Sequence, residues 1–222
     1  NFYLNLSLYL NDQFSPNKTL LAENYYYQKK YKLSQKIYNS TKKIGPIYSW
    51  HASKSIASIL LKTQNLETGI SSLQKAFDSL KEKNFQHYYD LANFYKNEEY
   101  FKKSVKYYSL ALKNIKSDNP LVSKILDHRG SSYERLGDWE KAEKDLVKSL
   151  EIFPDEPYAL NYLAYSWIEK GLNIEKSLEM LRKANKLKSN DGYITDSLGW
   201  ALFKLKRYEE AKKYMQLAVR LM

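Results

Sequence analysis

At 222 residues the chain is long enough for one or two domains, and it contains no cysteine, which excludes disulfide staples and thiol catalysis. No apolar run approaches the ~20 residues of a membrane-spanning helix. The net charge of +11 is lopsided, with 18 basic against 9 acidic residues in 1–122 and 18 against 16 in 123–222, but lysine outnumbers arginine 31 to 5. Bidentate base and phosphate contacts favour arginine, so this charge reads as compositional drift rather than a nucleic-acid surface.

Residues 1–14 read as the second helix of an earlier unit, with Leu4, Leu8 and Tyr9 on its inner face. Six units of about 34 residues follow at 15–49, 50–84, 85–122, 123–156, 157–191 and 192–222. Turn signals mark the junctions: Ser15-Pro16, Ile44-Gly45-Pro46, Ser117-Asp-Asn-Pro120, Pro154-Asp-Glu-Pro157 and Ser189-Asn-Asp-Gly192. No strand-like alternation persists, so nearly pure helix is expected. The chain starts at Asn1 and ends within a unit, and an array normally needs polar caps. A fragment or processed form of a longer protein is therefore expected.

Three columns stay small through all units. The eighth position holds Ala22, Ala57, Ala92, Gly130, Ala164 and Gly199. The twentieth holds Ser34, Gly69, Ser104, Ala142, Ser177 and Ala211, and the twenty-seventh Thr41, Ala76, Ala111, Ser149, Ala184 and Ala218. Large residues fill the columns between them: Tyr25, Leu60, Tyr95, Tyr133, Trp167 and Leu202 at the eleventh, and Tyr38, Leu73, Tyr108, Leu146, Leu181 and Met215 at the twenty-fourth. Small facing large lets two helix axes approach closely and locks a hairpin. Arg129 is the one departure from an apolar seventh column.

These columns resemble the tetratricopeptide repeat. Gly130-Ser-Ser-Tyr133, Leu136-Gly-Asp-Trp139, Lys141-Ala142 and Phe153-Pro154 follow its pattern closely, as do Leu198-Gly-Trp-Ala-Leu202 and Arg207-Tyr-Glu-Glu-Ala211. The first three units lack the glycine before the second helix, which loosens their register. The resemblance implies an all-α, right-handed α-solenoid of stacked antiparallel helix pairs, one array over 1–222 that binds protein. Arrays of this family that grip a C-terminal carboxylate do so with lysine, asparagine and arginine at set places. Here those places hold Lys54, Ser58, Asp90, Lys124 and His128, two matches of five, so that clamp is not expected.

Catalytic signatures are absent. His51, His87 and His128 show no metal-ligand spacing, the seven glycines form no phosphate loop, and no nucleophile elbow occurs. No catalytic residue, cofactor or metal is expected, and the chain is read as a non-enzyme.

In such a stack the first helices line the concave face, and positions 2, 5, 9 and 12 of each unit point into it. The early units offer Thr19, Glu23, Tyr26, His51, Lys54, Ser58, Tyr89, Asn93, Lys96 and Lys124, a mixed and basic surface. The last two offer Tyr158, Asn161, Tyr165, Tyr193, Asp196 and Trp200, rings beside an amide and a carboxylate, which suit an extended peptide. Packing of Trp200 and Tyr165 against a following first helix is the alternative.

The leading expectation is a scaffold that binds a protein or peptide segment in this groove. A structural subunit or spacer, or the recruiting array of an enzyme domain outside the chain, are the rivals. The stretches Pro154-Asp-Glu-Pro157 and Asp191-Gly-Tyr-Ile-Thr-Asp-Ser-Leu-Gly-Trp200 are similar to bacterial repeat proteins that are often exported. That resemblance implies an envelope location on the periplasmic side.

Overall fold

Pro16, Pro46 and Pro157 each stand in the first turn of a helix, where a missing N–H costs nothing and a fixed φ favours the start. Asn65, Asn84, Asp138 and Asp191 start four others and Glu156 reinforces the start at Pro157, each accepting from a backbone N–H of the first turn. The computed structural model describes residues 2–12 and 14–222, which form thirteen α-helices and no strand. They fall into two compact units, 1–83 and 84–222.

The first unit holds α1 (Phe2–Leu10), α2 (Ser15–Tyr27), α3 (Tyr31–Thr41), α4 (Pro46–Thr63) and α5 (Leu66–Asp78). The second holds α6 (Phe85–Asn97), α7 (Phe101–Asn114), α8 (Leu121–Arg135), α9 (Trp139–Ile152), α10 (Pro157–Glu169), α11 (Ile174–Leu187), α12 (Gly192–Lys204) and α13 (Tyr208–Leu221). From α2 onward even and odd helices pair as antiparallel hairpins, and within each unit an odd helix packs on the next even one. The architecture is an all-α solenoid of stacked helix pairs.

The small columns lie where helices touch. Ala22, Ala57, Ala92 and Ala164 are fully buried, as are Ser34, Ser104, Ala142 and Ser177. At Gly69 an added Cβ would come within 2.6 Å of Leu61 Cγ and 3.1 Å of the Ala57 carbonyl, so α4 and α5 need the glycine to close. Buried hydroxyls sew the pairs: Ser34 Oγ donates to the Ala22 carbonyl at 2.8 Å, and Ser104 Oγ donates to Ser132 Oγ at 2.9 Å. Column twenty-seven slips once, because Phe77 is buried and Ala76 is only half-buried. In α1, Leu4 and Leu8 are half-buried but Tyr9 is 86% exposed, so the inner face is narrower than its sequence suggests.

Most hairpin turns share one geometry. Lys29, Glu99, Gly137, Gly171 and Lys206 occupy the same column, and all have positive φ between 58° and 81°. In each, the next residue's N–H bonds back to the carbonyl of the eleventh-column residue: Lys30 to Tyr25, Tyr100 to Tyr95, Asp138 to Tyr133, Leu172 to Trp167 and Arg207 to Leu202. This is the helix ending that a left-handed residue makes possible. Register therefore survives where glycine is absent. Only the turn between α4 and α5 differs, with Asn65 extended and its side chain accepting from the Thr68 N–H.

Candidate protein-binding groove

The arrangement within residues 84–222 is set by first helices. α6, α8 and α10 together wall a groove of about 1070 Å³. Position 2 of the unit from 123 is Lys124, position 5 Asp127, position 9 Ser131 and position 12 Glu134, and all four line it. α6 adds Lys96, and α10 adds Tyr158, Tyr162 and Tyr165.

Most of the polar groups are held. The Tyr162 hydroxyl donates to Glu134 Oε2 at 2.8 Å. The Tyr158 hydroxyl donates to Asp191 Oδ2 at 2.9 Å and accepts from Lys188 Nζ at 2.9 Å, and that ammonium lies 4.3 Å from the ring centre. Glu156 caps the Ala159 N–H at 2.7 Å. Arg135 sits over the Phe101 ring and 3.8 Å from Glu99.

Behind the groove, Asn93 Oδ1 accepts from the Tyr108 hydroxyl at 2.7 Å and faces His128 Nδ1 at 3.0 Å. A carbonyl oxygen only accepts, so the neutral imidazole carries its proton on Nδ1. The ring stacks on Tyr89 and meets Tyr108 edge-on. Burial, together with Lys96 and Lys124, drives its pKa down to about 3. His128 is thus a neutral wall at physiological pH. His87 instead completes a capping box with Asn84, and His51 lies 3.8 Å from Glu23. Among the described residues no cluster of metal-binding side chains occurs.

Asp127 behaves differently. Burial and the nearby Glu156 raise its carboxyl to about 6, against the pull of Lys96 and Lys124. Burial also lowers the Lys96 ammonium.

The sequence-derived residues scatter around this groove. Tyr158 and Tyr165 line it, whereas Asn161 is not part of its lining and has its Oδ1 buried without a hydrogen-bond partner. Tyr193 is 76% exposed and Asp196 is exposed, both on α12. Trp200 is half-buried, stacked on Phe203, covered by Lys204, and its Nε1 donates to Glu169 Oε1 at 2.6 Å. Of the basic stripe, Lys96 and Lys124 line the groove, while Tyr89 and Asn93 belong to the ring cluster behind it. Thr19, Glu23, Tyr26, His51, Lys54 and Ser58 lie in the other unit. Tyr162 was not in the stripe, because it sits one position beyond Asn161. Asp127 does stand in the stripe of its unit, a signal present in the sequence.

One family model described as tetratricopeptide repeat matches residues 123–156, and a second with the same description matches 86–118 and 197–221. The chain carries tetratricopeptide repeats. This tetratricopeptide array is 27% identical over 161 residues to a TPR repeat-containing protein of Pseudomonas aeruginosa, covering 72% of the chain. It spans 27% of that relative's length. Pseudomonas aeruginosa PilF superposes with a TM-score of 0.73 at 13% identity, covering 95% of this chain and 92% of that one. Cut9, in the APC/C hetero-tetramer Cut9–Hcn1, gives 0.67 at 15% identity, covering 90% and 38%. At such identities the likeness is one of fold. Tetratricopeptide arrays are in general non-catalytic scaffolds for protein interaction.

Proposed function

We propose that the face formed by α6, α8 and α10 holds an extended segment of a partner protein. The observation that carries this is the groove itself, which is open, about 1070 Å³, and walled by three tyrosines with polar groups between them. Rings bury apolar side chains of a segment, and the interleaved polar groups bond its backbone. Tyr193, Asp196 and Trp200 on α12 extend the same surface in this reading. Tyr165→Ala combined with Trp200→Ala is expected to weaken a partner captured from cell extract at high salt by about tenfold or more, with helical circular dichroism unchanged. Undiminished capture by this variant would refute the groove reading.

Exposed apolar side chains favour a second reading, an assembly subunit. Phe2 and Tyr3 on α1 and Val219 on α13 are each more than 70% exposed. Light scattering on the purified chain separates the two, since the assembly reading requires a stable oligomer and the groove reading is met by a monomer.

A further inference from the structure

The charges on the groove lining differ in how far water reaches them. Asp127, Glu134 and Glu156 are half-buried, and Lys96 is the one lining cation that is equally sheltered. Lys124 and Arg135 are exposed, as is Lys188 beside Tyr158. Solvent and salt screen exposed cations, so they offset the inner carboxylates weakly. Glu134 accepts from the Tyr162 hydroxyl and Glu156 from the Ala159 N–H, neutral donors that leave the negative charge uncancelled. None of the three carboxylates stands within ion-pair distance of a cation among the described residues. Asp127 and Glu156 approach one another from α8 and the start of α10, while Lys96 acts on Asp127 from the α6 side. Burial raises the Asp127 carboxyl to about 6, Glu156 adds to the rise, and the pull of Lys96 and Lys124 does not cancel it. A half-buried carboxylate in this position gains when a ligand brings a cation. The rings suit the same chemistry, since at one end of the groove the Lys188 ammonium already lies 4.3 Å from the centre of the Tyr158 ring.

We infer that the segment seated in the groove carries a lysine or arginine, whose cation lies between Asp127 and Glu156 while neighbouring apolar side chains rest against Tyr162 and Tyr165. This rests on the groove reading and names the chemistry of its occupant. Three sheltered carboxylates against one sheltered ammonium select the cation, and the row of tyrosines selects a protein segment over a bare amine. The net charge of +11 works the other way at long range, so non-specific capture by this chain favours acidic peptides. A preference for basic ones must therefore come from a local site.

The test screens a bead-bound library of random peptides against the labelled parent chain at physiological salt, with the Tyr165→Ala chain as the control. Peptides that take up the parent over the control are expected to share a lysine or arginine among apolar residues. A peptide so selected is then labelled with fluorescein and compared by anisotropy with a twin in which Gln replaces that basic residue. The basic peptide is expected to bind the parent about tenfold tighter than its twin. Asp127→Asn with Glu156→Gln keeps the side-chain shapes and an acceptor for the Ala159 N–H, and is expected to remove that difference while leaving the twin's affinity in place. Selected peptides with no basic residue in common, or with an acidic one, would overturn this inference and spare the groove reading. So would a basic preference that survives in the Asp127/Glu156 variant. A library from which the parent selects nothing beyond the Tyr165→Ala chain would overturn both.

Discussion

Arg129 stands in a column that holds Leu21, Ile56, Leu91, Leu163 and Leu198 elsewhere, and Asp145 in one that holds Ile37, Ser72, Tyr107, Met180 and Tyr214. The sequence shows the first departure and gives no reason for it. The structure supplies one. Arg129 Nε and Nη2 meet the two Asp145 oxygens at 2.6 and 2.8 Å, and Nη1 donates to Ser109 Oγ at 3.0 Å, tying α7, α8 and α9 together. Asp145 is only 6% exposed. Removing one partner of such a pair strands the other, so Asp145→Ala should lose roughly 3–5 kcal/mol in urea unfolding. The double change Arg129→Leu with Asp145→Met, which copies the unit from 157, should come back to within about 1 kcal/mol of the parent or exceed it. Asp127 makes the opposite case. Its folded pKa is raised to about 6, so its contribution is present below the unfolded value near 4 and is lost as pH rises through about 6. Asp127→Asn should therefore be more stable than the parent by about 1–2 kcal/mol at pH 7.5, and the gain should vanish below about pH 4. A gain that persists in acid would show that burial of this carboxyl is not its cause.

The helix pairs were legible in the sequence because a small residue at a contact has no substitute. At Gly130 an added Cβ would stand 3.0 Å from Leu146 Cγ and 3.1 Å from the Ala142 carbonyl, so the neighbours would have to give way even to one carbon. The hairpin turns were less legible, since glycine is the usual signature of a left-handed residue and Lys29, Glu99 and Lys206 adopt that conformation without it. The cost of those three turns is local, and the stacked helices on either side impose it. Lys206→Gly should accordingly raise stability by up to about 1 kcal/mol, and Gly137→Ala should lower it by about as much, in thermal or urea unfolding. An unchanged or lower stability for Lys206→Gly would mean the turn is not strained. The candidate site was legible only in part for a related reason. A four-position stripe describes a helix face, but Tyr162 reaches the groove from the position beside Asn161, where rotation of α10 decides which of the two enters.

At the scale of the whole molecule, the charge of +11 invites an electrostatic account of binding, and the groove argues for a more local one. Its lining carries Glu99, Asp127, Glu134 and Glu156 beside Lys96, Lys124 and Arg135, so the local charge there is mixed and differs from the net charge of the chain. Long-range attraction is screened within about 8 Å at physiological salt, whereas contacts inside a groove are screened far less. The most direct measurement is photo-crosslinking in living cells, with a benzophenone side chain placed at Tyr165 in the groove or at Lys148 on the exposed side of α9. The account predicts one protein adduct from position 165, mapped by mass spectrometry to a single segment of that protein, and none of that protein from position 148. The same adduct at equal yield from both positions, or from 148 alone, would contradict it.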